Sequence, residues 1–125
     1  MGKALVTGGA GFIGSHTTDL LLQRGYDVRV LDILQERVHP HGWPAYLPAE
    51  VEKVQGDVCD PRQLRDALQD VDGVFHLAAY QDYLPDFSRF FQVNTVSTAL
   101  LFELIVADAL PVSKVVLASS QAVYG

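Results

Sequence analysis

A glycine-rich segment near the beginning of the chain, residues 7–14 (TGGAGFIG), constrains the fold more than any other part of the sequence. Before it, the apolar run from Ala4 to Val6 predicts a short buried β-strand. After it, Ser15 to Arg24 predicts a helix that ends at Gly25, with an apolar face formed by Ile13, Thr17, Leu20 and Leu21. A strand, a glycine turn and a helix in this order are the context in which glycine spacing predicts dinucleotide binding.

The glycines of this segment have separate expected roles. Gly8 and Gly11 would allow a tight turn and a close approach of the backbone to a pyrophosphate. Gly14 would let the helix pack closely against the sheet. The pyrophosphate would accept hydrogen bonds from free N–H groups at the positive end of the helix. The alternative is a glycine-rich turn that binds nothing, and the strand and helix around the segment favour binding.

Asp32 ends the second predicted strand, Asp27 to Asp32, and lies eighteen residues after Gly14. In a dinucleotide-binding fold, an acid at this place accepts hydrogen bonds from the hydroxyls of the adenosine ribose. Its negative charge would repel a 2′-phosphate, so the sequence favours NAD over NADP. The alternative is that Asp32 only begins a turn.

The rest of the chain alternates between strand and helix patterns. The sequence predicts strands at 51–57, 74–79 and 114–118, of which the last two are apolar runs, and helical spacing predicts helices from Asp60-Pro61 to Gln69 and from Phe87 to Ala109. This alternation predicts an α/β fold, a Rossmann-type doubly wound parallel sheet with strand order 3-2-1-4-5. Its ligand crevice would lie beside strand 1, where the order reverses.

Histidines in two places raise the question of metal binding or catalysis. His39 and His41 lie in an irregular, proline-rich connection, residues 34–50, without a carboxylate or cysteine at ligand spacing. A solvated loop is therefore favoured over a metal site. His76 lies within an apolar strand, which favours a hydrogen-bonded core histidine over a catalyst.

Composition limits the function classes further. The net charge is −6 with both signs mixed along the chain, which argues against binding to nucleic acid or to an anionic membrane surface. We expect no apolar run to be long enough to span a bilayer. A single cysteine, Cys59, cannot form an internal disulfide, and no signal peptide precedes the first strand. We therefore expect a cytoplasmic protein.

Together, these motifs resemble the extended short-chain dehydrogenase/reductase family, in its NAD-dependent nucleotide-sugar epimerase/dehydratase branch. The resemblance spans the whole chain and rests on the glycine segment, Asp32, residues 56–58 (GDV), residues 76–79 (HLAA), Asn94 and residues 119–125 (SSQAVYG).

The resemblance implies a role for each motif. The backbone of Phe12 and Ile13 would bind the pyrophosphate, the Asp57 carboxylate would accept from the adenine amino group, and Asn94 would support the wall beside the nicotinamide. Ser120 would be the catalytic hydroxyl that bonds the sugar oxygen. The implied cofactor contacts are Gly8, Gly11, Phe12, Ile13, Gly14, Asp32, Ile33, Asp57, Val58, Leu77, Ala78, Ala79 and Asn94, and the implied substrate contacts are Ser119, Ser120 and Gln121. The alternative for Ser119 and Ser120 is ordinary turn chemistry at a strand end.

The residues after Ser120 narrow the implied reaction. Gln121 and Ala122 stand where the family's 4,6-dehydratases carry an Asp-Glu pair, and they cannot supply an acid and a base. This favours a 4-epimerase that forms a transient 4-keto sugar, acting on a dTDP- or UDP-hexose. Residues 38–47 and 80–83 resemble enzymes of dTDP-sugars. The alternatives are a non-catalytic dinucleotide-binding module, or a nucleotide-sugar reductase or dehydratase of the same family.

The family's catalytic base is the tyrosine of a Tyr-x-x-x-Lys pair, and no tyrosine in residues 1–125 has a lysine four residues later. In the family this pair, the last strands and the substrate domain follow the region that residues 1–125 resemble. We therefore expect an incomplete NAD-binding Rossmann domain that is inactive alone. A homodimer formed partly by the helix at 87–109 is a further implication.

Overall fold

The computed structural model describes residues 2–125 as a parallel β-sheet with helices on both faces. The strands are β1 (Lys3–Thr7), β2 (Asp27–Asp32), β3 (Glu52–Gln55), β4 (Gly73–His76) and β5 (Lys114–Leu117). The helices are α1 (Phe12–Gln23), α2 (Pro61–Ala67), α3 (Phe87–Phe91), a π-helical segment (Gln92–Val96), α4 (Ser97–Ala107) and a 3₁₀ turn (Gln121–Tyr124).

The strand order is β3-β2-β1-β4-β5, and every neighbouring pair is parallel. The predicted order and fold class are therefore confirmed. Val6 pairs with Val30 on one side of β1 and with Phe75 on the other, so the chain leaves β1, β2 and β4 at the same edge of the sheet. Because β1 is followed in space by β2 on one side and β4 on the other, the order reverses there and opens a crevice.

Two apolar layers hold the helices on the sheet. One layer joins Leu5 and Leu31 of the sheet to α2 and α4, through Leu64, Leu68, Leu101 and Leu104. The other joins the alternate residues Ala4, Val6, Val28 and Val30 to Leu21 of α1 and to Val51. Covering on both faces explains why the central strand β1 carries the continuous apolar run from Ala4 to Val6 rather than an alternating pattern.

The predicted apolar face of the first helix is wrong in part. Leu21 is buried, but Ile13 and Leu20 are 64% and 49% exposed. The buried face consists instead of Gly14, Ser15, Thr18 and Leu21. Small side chains at these positions let α1 lie close to the turn and the sheet, so this helix buries little bulk. It also begins at Phe12, earlier than expected.

Several predicted boundaries shift where strands meet the crevice. β4 ends at His76, so residues 77–79 lie beyond the strand and form part of the crevice wall. β3 is a short edge strand, Glu52–Gln55, within the predicted 51–57. The connection between β2 and β3 is irregular as predicted, and Val51 at its end packs against the sheet, while Leu47 is buried within it.

The long helix predicted at 87–109 is continuous from Phe87 to Ala107 and contains the π-helical segment. The helix has 21 residues and contains an 18-residue stretch with a mean hydropathy of 1.5, so it is long and apolar enough to cross a membrane, and the expectation that no apolar run is long enough is wrong. One such helix is weak evidence for a membrane span, because core helices of soluble proteins meet the same criteria.

Candidate functional site

A cleft of about 580 Å³ lies at the carboxyl edge of the sheet, where the order of strands reverses. Its walls are the glycine turn, the chain after β2, β3 and β4, and the helix around residues 89–93. It brings together nine residues that the sequence predicts as cofactor contacts: Gly8, Gly11, Asp32, Ile33, Asp57, Val58, Leu77, Ala78 and Ala79. Phe12, Ile13, Gly14 and Asn94 lie next to this wall rather than on it.

The glycine turn has the geometry that its sequence predicts. Gly8 has a φ of 68°, and a Cβ there would lie 2.8 Å from the backbone of Ala78. Its N–H donates to the Leu31 carbonyl at 2.8 Å, which ties the turn to β2. A side chain at position 8 would therefore be strained and would also push apart two walls of the cleft.

Gly14 acts through the turn rather than through the sheet. A Cβ at Gly14 would lie 2.2 Å from the Gly8 carbonyl oxygen and 2.7 Å from the Gly9 Cα. The close contact with the sheet belongs to Gly9, whose Cβ would lie 2.6 Å from the Val30 methyl groups. The expectation that Gly14 itself adjoins the sheet is therefore corrected, because Gly9 makes this contact.

The start of α1 adjoins the cleft through Gly11, its N-cap residue. Among residues 2–125, no side chain caps this end of the helix, so its first N–H groups, including those of Phe12 and Ile13, are free of a side-chain acceptor. The side chains of Phe12 and Ile13 point to solvent. Free N–H groups at a helix start attract anions, which suits a phosphate.

Asp32 is nearly buried and uses both carboxylate oxygens to shape the site. Oδ2 accepts from the Ala10 N–H at 3.1 Å, and Oδ1 accepts from the Leu34 N–H at 2.9 Å. Asp32 therefore begins a turn, as the alternative proposed, and also lies on the cleft wall. Since each carboxylate oxygen can accept two hydrogen bonds, both keep capacity for a ligand hydroxyl.

The far end of the cleft is formed by residues 56–59 after β3. The Asp57 carboxylate accepts from the Cys59 N–H at 2.8 Å, and the Asp57 N–H donates to Gln63 Oε1 at 2.7 Å. Burial, together with the charge and hydrogen bond of Asp57, raises the pKa of the Cys59 thiol to about 11. Cys59 is therefore a neutral wall residue and a poor nucleophile near neutral pH.

A buried polar relay fixes the wall after β4. Thr7 Oγ1 accepts from the N–H groups of Leu77 and Ala78, both at 3.1 Å, and lies 2.8 Å from His76 Nδ1. Because both acceptor positions of the hydroxyl are used, its proton goes to Nδ1, and Nε2–H donates to Ser97 Oγ at 3.1 Å. Burial lowers the pKa of His76, which keeps the ring neutral. The prediction of a hydrogen-bonded core histidine is confirmed.

Asn94 supports the same wall from outside. Its amide accepts from the Tyr80 N–H at 2.8 Å and donates to the Tyr80 carbonyl at 2.9 Å. The sequence predicts an inward position for Asn94, whereas the residue is exposed at the edge of the helix. The hydrogen-bond partner of the Asn94 amide is the backbone of Tyr80, so the expected supporting role of Asn94 agrees with its position. The expected burial of Asn94 does not agree with its exposure.

Tyr80 is a buried residue of the cleft wall that the sequence does not predict as a site residue. Its hydroxyl donates to Asp86, and this hydrogen bond raises the pKa of Tyr80. Phe90 packs edge-on against the ring, and the guanidinium of Arg89 lies 4.9 Å from the ring centroid.

The structure does not bring the predicted substrate residues to this cleft. Ser119, Ser120 and Gln121 are exposed after β5. The Ser120 hydroxyl accepts from the Ala122 N–H at 3.1 Å and caps the 3₁₀ turn. This is the turn chemistry that the alternative describes.

The sequence does not predict several residues of the cleft wall, because they come from loops and helix flanks without a motif. They are Gln35, Val38, His39, Cys59, Tyr80, Arg89, Gln92 and Val93. His39 is half-buried and lies on the cleft wall, whereas His41 of the same irregular connection is exposed. Among residues 2–125, no three His, Cys, Asp or Glu side chains are grouped to hold a metal ion.

Comparison with known proteins identifies the family. The sequence model described as NAD dependent epimerase/dehydratase family matches residues 4–125. The chain belongs to the NAD-dependent epimerase/dehydratase family. The recognition made from the motifs is therefore confirmed.

Individual members of this family with known activities differ in reaction. The chain is 36% identical over 121 residues to sterol-4-alpha-carboxylate 3-dehydrogenase, decarboxylating, of Mus musculus, covering 97% of this chain and 30% of that protein. It is 37% identical to dTDP-L-rhamnose 4-epimerase of Burkholderia thailandensis, covering 98% of this chain and 36% of that protein. The structure of MoeE5 in complex with UDP-glucuronic acid and NAD matches with a TM-score of 0.78 and 36% identity, over 99% of this chain and 38% of that one. The chain thus spans about a third of these relatives.

Proposed function

We propose that this chain is the NAD-binding part of a nucleotide-sugar 4-epimerase. The observation that carries the proposal is the position of Asp32, which lies on the cleft wall with acceptor capacity left. A dinucleotide placed with its diphosphate at the start of α1 would bring its adenosine ribose hydroxyls to this carboxylate.

The residues present fit such a cofactor. Glycines at positions 8 and 11 leave the turn without side chains where it lines the cleft. Asp57 and Val58 would adjoin the adenine, and residues 77–79 would adjoin the nicotinamide, held in place by Thr7. The chemistry that NAD supplies is reversible hydride transfer at a carbinol carbon. The chain's own part is to bind, to orient and to exclude water.

The choice of a 4-epimerase rests on two supports. Gln121 and Ala122 lack the acid and base that water elimination needs. The dTDP-L-rhamnose 4-epimerase relative matches 98% of the chain, and related structures with UDP-sugars share the fold. We propose a dTDP- or UDP-hexose as the substrate and Ser120 as the hydroxyl that bonds the reacting sugar oxygen.

A sterol dehydrogenase is the second candidate, because the chain is equally similar to the Mus musculus sterol-4-alpha-carboxylate 3-dehydrogenase. The two reactions differ in their redox balance. An epimerase returns the hydride to its substrate, whereas a dehydrogenase leaves reduced cofactor in solution.

Incubating the intact protein with NAD and each substrate class separates them. We expect inversion at C4 of a dTDP- or UDP-hexose, followed by proton NMR, without growth of NADH absorbance. Growth of NADH absorbance with a 4-carboxysterol, and no inversion of any hexose, would replace the proposal with the second candidate. NADH binding without turnover of either substrate class would support the alternative of a non-catalytic dinucleotide-binding module.

Asp32 provides a test of the cofactor assignment alone. We expect the intact protein to bind NADH at least about tenfold more tightly than NADPH, since a carboxylate beside a 2′-phosphate costs roughly 1–3 kcal/mol in a partly buried site. Asp32→Asn should remove most of this preference, and Asp57→Asn, at the far end of the cleft, should keep it. Calorimetric titration measures both, and a wild-type preference for NADPH would overturn the role given to Asp32.

We also propose that the intact protein forms a homodimer through the long helix. Apolar side chains exposed along it include Phe87, Phe91, Val96 and Val106. Pairing of this face would remove them from water, a favourable change of about 25 cal/mol per Å². Light scattering should give the mass of a dimer at micromolar concentration, and a stable monomer, or recovery of the protein only with detergent, would contradict the dimer.

A further inference from the structure

Within residues 2–125, Arg89 is the only Lys or Arg residue that lines the cleft. It follows Asp86 in the first turn of α3, and its side chain forms none of the ion pairs or side-chain hydrogen bonds found in that part of the chain. The guanidinium instead lies over the ring of Tyr80, 4.9 Å from its centroid. A cation with unused donors therefore lies at the wall of the proposed cofactor site.

Tyr80 gives this guanidinium a fixed support. Its backbone is held on both sides by the amide of Asn94, and its hydroxyl is held by Asp86. Phe90 packs against the ring edge at a centroid distance of 4.9 Å. Because a planar guanidinium can stack on both faces, an Arg held against one aromatic ring can cover a second flat ring with its other face.

The position of Arg89 along the cleft indicates which part of a dinucleotide it meets. With the diphosphate at the start of α1 and the ribose at Asp32, the adenine lies beyond β2, toward the chain after β3. Cys59 Sγ donates to the Gln92 carbonyl at 3.4 Å, so the helix that carries Arg89 lies beside residues 56–59, and the charge of Arg89 partly offsets the rise in the pKa of the Cys59 thiol. Gln92 and Val93, one turn further along the helix, line the same wall.

We propose that Arg89 is a cofactor-binding residue that covers the adenine of the dinucleotide, with its guanidinium stacked between the adenine and the ring of Tyr80. The proposal rests on the proposed binding of NAD. It assigns Arg89 to recognition of a flat purine rather than to recognition of phosphate.

A series of ligands tests this in the intact protein by calorimetric titration. Arg89→Gln should weaken adenosine, ADP and NADH by a similar factor, about fivefold each, which is the size of a partly exposed cation–π contact. Reduced nicotinamide mononucleotide, which lacks adenine, should bind equally well to both forms. Arg89→Lys should recover only part of the loss, because an ammonium carries the charge without the plane.

The controls separate the possible failures. Arg62→Gln removes an equal charge from the exposed start of α2 and should leave every affinity unchanged. A loss that grows with the number of phosphates, is absent for adenosine and disappears in high salt would show a phosphate contact and overturn the proposal. Equal affinities of wild type and Arg89→Gln for all ligands would overturn it as well. Failure of the wild type to bind NADH would instead refute the proposed function.

Discussion

Replacing Gly14 by alanine tests whether the contact between α1 and the glycine turn determines stability. The new Cβ would lie 2.2 Å from the Gly8 carbonyl oxygen, which is 1.2 Å short of the 3.4 Å at which ordinary contact begins. The neighbouring atoms belong to the backbone of Gly8 and Gly9, so no flexible side chain can move aside. The helix or the whole turn must shift.

The free energy of unfolding should fall by about 2 kcal/mol. Overpacking of this kind costs up to about 3 kcal/mol, and the better helix propensity of alanine returns up to about 1 kcal/mol. With a denaturant slope of roughly 2 kcal/mol per molar urea, the midpoint of urea unfolding should fall by about 1 M. Circular dichroism during a urea titration of the intact protein measures this.

Gly11→Ala is the matched control, because its Cβ would lie 3.3 Å from the same Gly8 oxygen. Gly11 has a φ of −76°, which alanine adopts without strain. We expect a change in stability of about 0.5 kcal/mol, together with weaker NADH binding because position 11 lines the cleft. Equal losses of stability in the two variants, or an unchanged midpoint for Gly14→Ala, would refute this account of the turn.

Two further predictions concern the walls of the cleft. The ion pair between Arg37 and Asp82, whose side chain is only 12% exposed, joins the connection after β2 to the one after β4. Asp82→Asn should raise the rate of NADH dissociation about threefold in stopped-flow displacement, and an unchanged rate would show that this link does not restrain the cofactor. Because burial lowers the pKa of His76 below 6.5, the unfolded chain takes up this proton first as the pH falls. The stability from neutral His76 is therefore complete above about pH 6.5 and declines below it, and urea midpoints should fall between pH 7 and pH 5.5 in the wild type but less in His76→Gln.

The sheet and its order follow from the sequence because strand and helix patterns alternate along the chain, which requires parallel strands joined by crossovers. The site residues on strand ends and in the glycine turn follow for the same reason, since topology alone brings Asp32 and Gly8 to one edge. The face of α1 does not follow, because the helix buries the small residues Ser15 and Thr18 while larger Ile13 and Leu20 stay exposed. A hydropathy pattern predicts burial of the larger apolar residues, whereas close packing of the helix buries the smaller ones.

The remaining wall residues reach the cleft through contacts between segments that are distant in the sequence, and no local sequence pattern predicts such contacts. His39 reaches the cleft because a long connection folds back over the sheet edge, where Tyr46 donates a hydrogen bond to the Ala10 carbonyl. Arg89 lies over the ring of Tyr80, whose backbone is bonded by Asn94 of the same helix. A polar residue such as Asn94 signals that some partner exists, but the sequence does not name the backbone of Tyr80 as that partner.

The π-helical segment Gln92–Val96 determines how the long helix contacts both the cleft and the core. Asn94 bonds to Tyr80 at the cleft wall, and Ser97, directly after the segment, bonds to His76 in the core. A π turn accommodates one residue more than an α turn. Losing one residue from it would restore regular α geometry and change the angle around the helix axis between the residues on either side of the deletion. Asn94 could then keep its bonds to Tyr80, or Ser97 its bond to His76, but not both. Single-residue deletions should therefore be tolerated in the connection between β2 and β3 and be damaging within these five residues.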